Sequence, residues 1–165
     1  MVFLKDVLKT LISQFASIHI PCFRDERTVE NVTAAYENVM ENPYVDIIGH
    51  PDDGRFPVDM KRLVSKAKKT GTLLEVNNSS LRPEGFRENT KENCLRMVRS
   101  VRTGVMIVLG SDSHVDADIA EYPYAEEILR ETDFPEELVA NVSLEKLKAC
   151  IKHGKKTIDF AILVC

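Results

Sequence analysis

Residues 105–114, VMIVLGSDSH, are an apolar run that breaks off into glycine, hydroxyls, an acid and an imidazole. An unbroken apolar stretch rich in β-branched residues reads as a strand buried on both faces, the kind found in parallel sheets. Its polar end has two readings. Asp112-Ser113-His114 is either a helix cap ahead of VDADIAEY or the mouth of a pocket, since an acid and an imidazole two apart at a strand tip can both face inward.

The pattern repeats upstream. TKENCLRMVRSVRTG places Leu95, Val98 and Val101 on one helical face, and the strand before it, Leu73–Val76, ends in Asn77-Asn78-Ser79-Ser80. PVDMKRLVSKAKKTG is a helix with Pro57 near its start and Gly71 after its end. The strand 45–48 before it closes in Gly49-His50-Pro51-Asp52. TVENVTAAYENVMEN sets Val29, Val32, Tyr36, Val39 and Met40 at helical spacing, with Thr28 as its cap and Asn42-Pro43 as its stop. A strand-like run, Phe15–Ile20, carries His19 and is stopped by Pro21; an apolar helical segment from Phe3 to Phe15 opens the chain. Downstream, YPYAEEILRET reads as a helix, LVANVS as a short apolar piece, and SLEKLKACIKHG as a helix capped by Ser143. The tail TIDFAILVC is a strand or a packed end.

Strand and helix thus alternate about every thirty residues, which predicts an α/β fold of parallel strands covered by helices. Right-handed crossovers bring every strand's carboxyl end to one side, where active sites of such folds form. His19, His50, Asn77-Asn78, and Asp112 with His114 all fall there. Singly, each has an ordinary reading: a satisfied core histidine, a turn residue, a loop cluster, a cap. Together they converge on one rim. Three of the chain's 4 histidines lie at these tips; the other, His153, suits the negative end of a helix.

Imidazoles and a carboxylate in one cleft make a first-row metal environment, suited to zinc first and to manganese or iron as alternatives; calcium prefers oxygen ligands. Neither GxxxxGK[ST], GxGxxG nor GxSxG occurs. Cys22 lies close to His19 in sequence, but no orienting group accompanies it as a thiol nucleophile. A chain of 165 residues suits a single domain, and 44% hydrophobic with 29% charged residues is globular composition. Its net charge of −4 gives no field toward nucleic acid or anionic membrane. Cys22, Cys94, Cys150 and Cys165 form no CxxC pair and read as reduced thiols, which with the charged, short opening segment places the chain in the cytoplasm.

FASIHIPCF, DIIGHPD, LLEVNNSS and VLGSDSH, in that order and followed by NVS, resemble the PHP family, named for polymerase and histidinol phosphatase, and most closely its stand-alone bacterial phosphatase branch. The resemblance runs over about residues 15–143, leaving 144–165 as a C-terminal helix and tail. It implies a distorted seven-stranded βα barrel with a trinuclear metal centre that hydrolyses phosphate esters, of which this chain holds about the last four strands. By that resemblance His19 and His50 share one metal with a bridging glutamate, Asp112 binds a second and His114 a third. Asp112 and His114 are the candidate catalytic groups, and Asn77, Asn78 and Arg55 are candidates around the substrate, with Arg82 a further basic residue. The family's HxH motif and early ligands have no counterpart here, and Glu75, inside its strand, does not suit the part of the bridging acid. The expectation is therefore an N-terminally incomplete domain that binds less than a full cluster. Its partners would be a small phosphorylated substrate and, through open barrel edges, a second copy or the missing N-terminal fragment. A non-catalytic or partner-dependent half-barrel is the competing expectation.

Overall fold

The computed structural model describes residues 13–152; almost all of the opening segment, His153 and the tail lie outside the described residues. Strands β1 (Phe15–Ala16), β2 (Ile47–Ile48), β3 (Leu73–Asn77) and β4 (Ile107–Gly110) form one sheet in that order. All neighbouring pairs are parallel, through Ala16↔Ile48, Ile48↔Leu74 and Leu74↔Ile107. Between them run α1 (Val29–Met40), α2 (Met60–Thr70) and α3 (Thr90–Val101), followed by α4 (Pro123–Glu131) and α5 (Leu144–Cys150). This is the expected α/β alternation, and it is consistent with part of a βα barrel.

Local chemistry sets the helix ends. Thr28 caps α1 by accepting from the Asn31 N–H, and Ser143 caps α5 from Lys146. Helix α2 starts later than Pro57: Asp59 is its cap, accepting from the Lys61 and Arg62 N–H groups. It ends at Gly71, whose φ of 66° is the left-handed cap that a residue without Cβ adopts at no steric cost. The strand expected over Phe15–Ile20 stops after Ala16. His19 instead opens a turn, its carbonyl accepting from the Cys22 and Phe23 N–H groups, and Pro21 within that turn has no N–H to give a ladder.

Alternation divides the sheet. Ile48, Leu74, Val76 and Ile107 face the helices and pack with Tyr36, Leu63, Met97 and Val98 in the main core. Ile47, Leu73 and Val108 face the other way and form a smaller cluster with Ala140 and Ile151. The segment after α4 closes over this second face, and Val139 makes a parallel bridge to Ile107. The β1 edge is different: Phe15 is 55% exposed.

Candidate active site

On the second face the strands turn polar toward their carboxyl ends. Leu73, Glu75 and Asn77 share one parity of β3, so the side chains run from apolar to charged to amide along a single line. Glu75 is 5% exposed, and its Oε2 accepts from the His50 N–H at 2.8 Å and from Asn77 Nδ2 at 3.2 Å. Two glycines make its room. A Cβ on Gly110 would stand 1.9 Å from Glu75 Oε1, and one on Gly49 would stand 3.4 Å from Oε2 and 2.3 Å from Ser17 Oγ. Burial raises the Glu75 carboxyl above the usual range, against the pull of the His50 N–H. Glu75, set aside above only as a bridging acid, forms the floor beneath the His50 backbone and Asn77.

His50 sits over this carboxylate with φ 33°, a left-handed conformation that is costly for a non-glycine residue. The His19 ring meets it edge-on, centroids 4.8 Å apart. Burial, then the nearby Arg87 charge and His19, push His50 down to about 4, so its imidazole is neutral at ordinary pH. Its Nδ1 is buried without a hydrogen-bond partner among the described residues. Asp52, next in the same loop, is also enclosed, and neither carboxylate oxygen has a partner there. Desolvation raises it to about 7; the nearby backbone N–H of Asp52 itself pulls the other way, and Glu75 adds to the rise.

Asp112, at φ 48°, forms the second half of the rim. Its Oδ2 accepts from Asn77 Nδ2 at 3.2 Å and from Arg87 Nη2 at 3.0 Å. Half-burial raises the Asp112 carboxyl, but the Arg87 and Asn77 bonds outweigh it, and the net shift is downward. Arg87 also donates to Ser80 Oγ at 3.0 Å. Arg55 grips Asp53 through Nε and Nη2, with contacts of 2.9, 3.1 and 2.5 Å.

The residues singled out by sequence thus separate. His19 with His50, and Asn77 with Asp112, meet as pairs around Glu75. Among the described residues His114 reaches only Asp112, Nε2 to Oδ1 at 3.8 Å, and its side chain is 79% exposed. Asn78 holds a helix in place instead, its Oδ1 accepting from the Tyr124 and Ala125 N–H groups at the start of α4. Arg82 pairs with Asp118 at 2.6 Å. Glu75, Asp52, Asp53 and Arg87 were not anticipated. The parity of LLEVN, with glycines at the ends of the flanking strands, was the available signal for Glu75; Arg87, in a polar loop, had none.

For a metal, the donors fit in part. Two imidazoles in edge contact, one of them the neutral His50 with a buried Nδ1 that has no partner among the described residues, suit a divalent first-row ion as a pair. Among the described residues, however, no group of three or more His, Cys, Asp or Glu side chains comes together to hold one. No helix among them is long and apolar enough to cross a membrane.

The chain is 42% identical over 159 residues, 96% of its length, to a protein of Clostridium novyi. It is 39% identical over 155 residues to one of Acetivibrio thermocellus and 36% over 153 residues to one of Thermoanaerobacter sp.. Each is named a probable phosphatase. The chain spans 64%, 63% and 62% of these relatives' own lengths, respectively. No family model matches it.

Proposed function

We propose that this chain carries the chemistry of a metal-dependent phosphatase of the polymerase and histidinol phosphatase type, hydrolysing small phosphomonoesters. The observation that carries the reading is the His19–His50 pair above the buried Glu75 carboxylate, at the carboxyl ends of parallel strands. Its reach to this chemistry rests on the likeness to probable phosphatases over nearly the whole chain. A bound divalent ion would supply a water acidic enough to attack phosphorus near neutral pH. The chain's own residues prepare the rest. Burial keeps His50 neutral, so its lone pair is available without loss of a proton. Asn77 and Arg87 keep Asp112 ionised and aimed into the rim.

One observation favours a second reading, a partner-dependent or non-catalytic half-barrel. The described donors stop short of a complete coordination set, while the relatives are longer than this chain. Turnover of p-nitrophenyl phosphate by the purified chain with added zinc or manganese separates the two. The phosphatase reading expects hydrolysis that disappears in His50→Ala and in Asp112→Ala. No turnover with only trace bound metal supports the half-barrel, and equal rates in all variants mean a contaminating enzyme.

A further inference from the structure

The loop between β3 and α3 carries a feature that neither the fold nor a metal site requires. Phe86 is 72% exposed, yet two guanidinium groups lie against its ring, Arg55 at 4.8 Å and Arg87 at 5.2 Å from the centroid. A ring so exposed contributes little to folding by burial, but it fixes the position of both cations.

Arg87 is a charge held inside the protein, its side chain only 7% exposed. Its Nη groups are engaged by Asp112, Ser80 and, at 3.5 Å, Asn77 Oδ1. Its Nε is buried with no hydrogen-bond partner among the described residues; the nearest carboxylate, Asp53, is 3.9 Å away. Asp53 is already matched by Arg55, through the Nε and Nη2 contacts. Within 4 Å the two guanidiniums face only Asp53 and Asp112, while Asp52 and Glu75 feel the Arg87 charge from further off. Should Asp112 turn to a cation, as the proposed function has it, Arg87 would lose the one carboxylate that hydrogen-bonds it among the described residues. A buried guanidinium in that state calls for an anion, and its planar fork suits phosphoryl oxygens.

We propose that Arg55 and Arg87, braced on the ring of Phe86, form the subsite that receives the phosphoryl oxygens of the substrate, with Phe86 as a positioning residue. This rests on the phosphatase reading for its ligand and goes beyond it in naming the residues that hold the ester. Arg87 touches the anion; Phe86 acts only by fixing the two cations.

The test is calorimetric titration of inorganic phosphate into the purified chain with manganese present, alongside its manganese content and thermal unfolding midpoint. Arg87→Gln should weaken phosphate binding about a hundredfold. Phe86→Leu, which keeps an apolar side chain but removes the ring, should weaken it about tenfold. Because Phe86 is exposed, its variant should keep the wild-type midpoint and manganese content, which guards against misfolding in the arginine variant. The subsite is wrong if Phe86→Leu binds phosphate like the wild type, or if the wild type binds none. It is equally wrong if Arg87→Gln loses manganese but keeps its phosphate affinity, since Arg87 would then serve only to hold Asp112. Arginine-dependent phosphate binding without ester turnover would sink the phosphatase reading and leave the subsite standing. Turnover with phosphate affinity indifferent to both variants would do the reverse.

Discussion

The two ends of the same strands are built to opposite rules. At the amino ends, the Asp46 carboxylate accepts from the Gln14 and Lys152 N–H groups at 3.0 and 2.8 Å, and the Lys152 ammonium donates to Thr72 Oγ1 at 2.9 Å. The segments preceding three strands are thereby tied to the chain's far end, with the buried acid satisfied on both oxygens. At the carboxyl ends, His50 Nδ1 and both Asp52 oxygens are buried without partners among the described residues, and His50 and Asp112 hold left-handed backbones. Unsatisfied polar atoms and strained residues are unfavourable, and folds retain them where a ligand makes use of them. The contrast teaches that one end is closed by satisfied hydrogen bonds while the other keeps the unpartnered atoms and strained backbones that the proposed site would use.

The sharpest way to break this contrast is to exchange readouts. His50→Ala should reduce metal-dependent ester turnover on the order of a thousandfold while shifting urea-unfolding stability by less than about 1 kcal/mol. Asp46→Ala should do the opposite: two buried N–H groups lose their acceptor, costing about 3 kcal/mol in urea unfolding, with turnover per folded molecule unchanged. A stability loss in the first variant matching that in the second would erase the distinction between the ends.

Gly110→Ala probes where the two halves join. The added methyl would overlap the Glu75 carboxylate, so the floor must move, at about 2 to 3 kcal/mol of stability. Turnover should fall with it, because Glu75 supports the His50 backbone. Normal activity and stability would mean that Glu75 has no fixed place under the site.

The contrast also carries a pH dependence. Asp52 is raised to about 7 from 3.8, so the folded chain holds a proton there that the unfolded chain has released. The stability this contributes is present at low pH and is lost as pH rises through that window. Asp52→Asn removes the loss, so the variant's stability relative to wild type should grow steadily as pH rises from 4 to 7, then level off. A difference that is constant with pH would show Asp52 ionised and accommodated throughout.

Much of the stabilising half was legible in the sequence. Apolar runs fixed β3 and β4, and Thr28, Gly71 and Ser143 marked helix ends because capping chemistry is local. The tips bearing His50 and Asp112 followed from chain direction alone. What escaped reading depends on partners distant in sequence. Glu75 looks misplaced in an apolar strand until Gly49 and Gly110 are seen to flank it, and that flanking is a matter of register. Arg87 lies in a loop of ordinary polar composition, and only the folded chain brings it against Asp53 and Asp112. His19 was expected on a longer strand, but the turn at Pro21 carries it to the rim from outside the ladder.

The proposed joint hold of His19 and His50 on one ion is tested most directly by following their assigned imidazole resonances while zinc is added to the metal-free chain. The account predicts that both rings shift together with one binding curve, and that His50→Ala abolishes the response of His19. Zinc that moves His114 alone, or that leaves the His50 signals where they were, would contradict it.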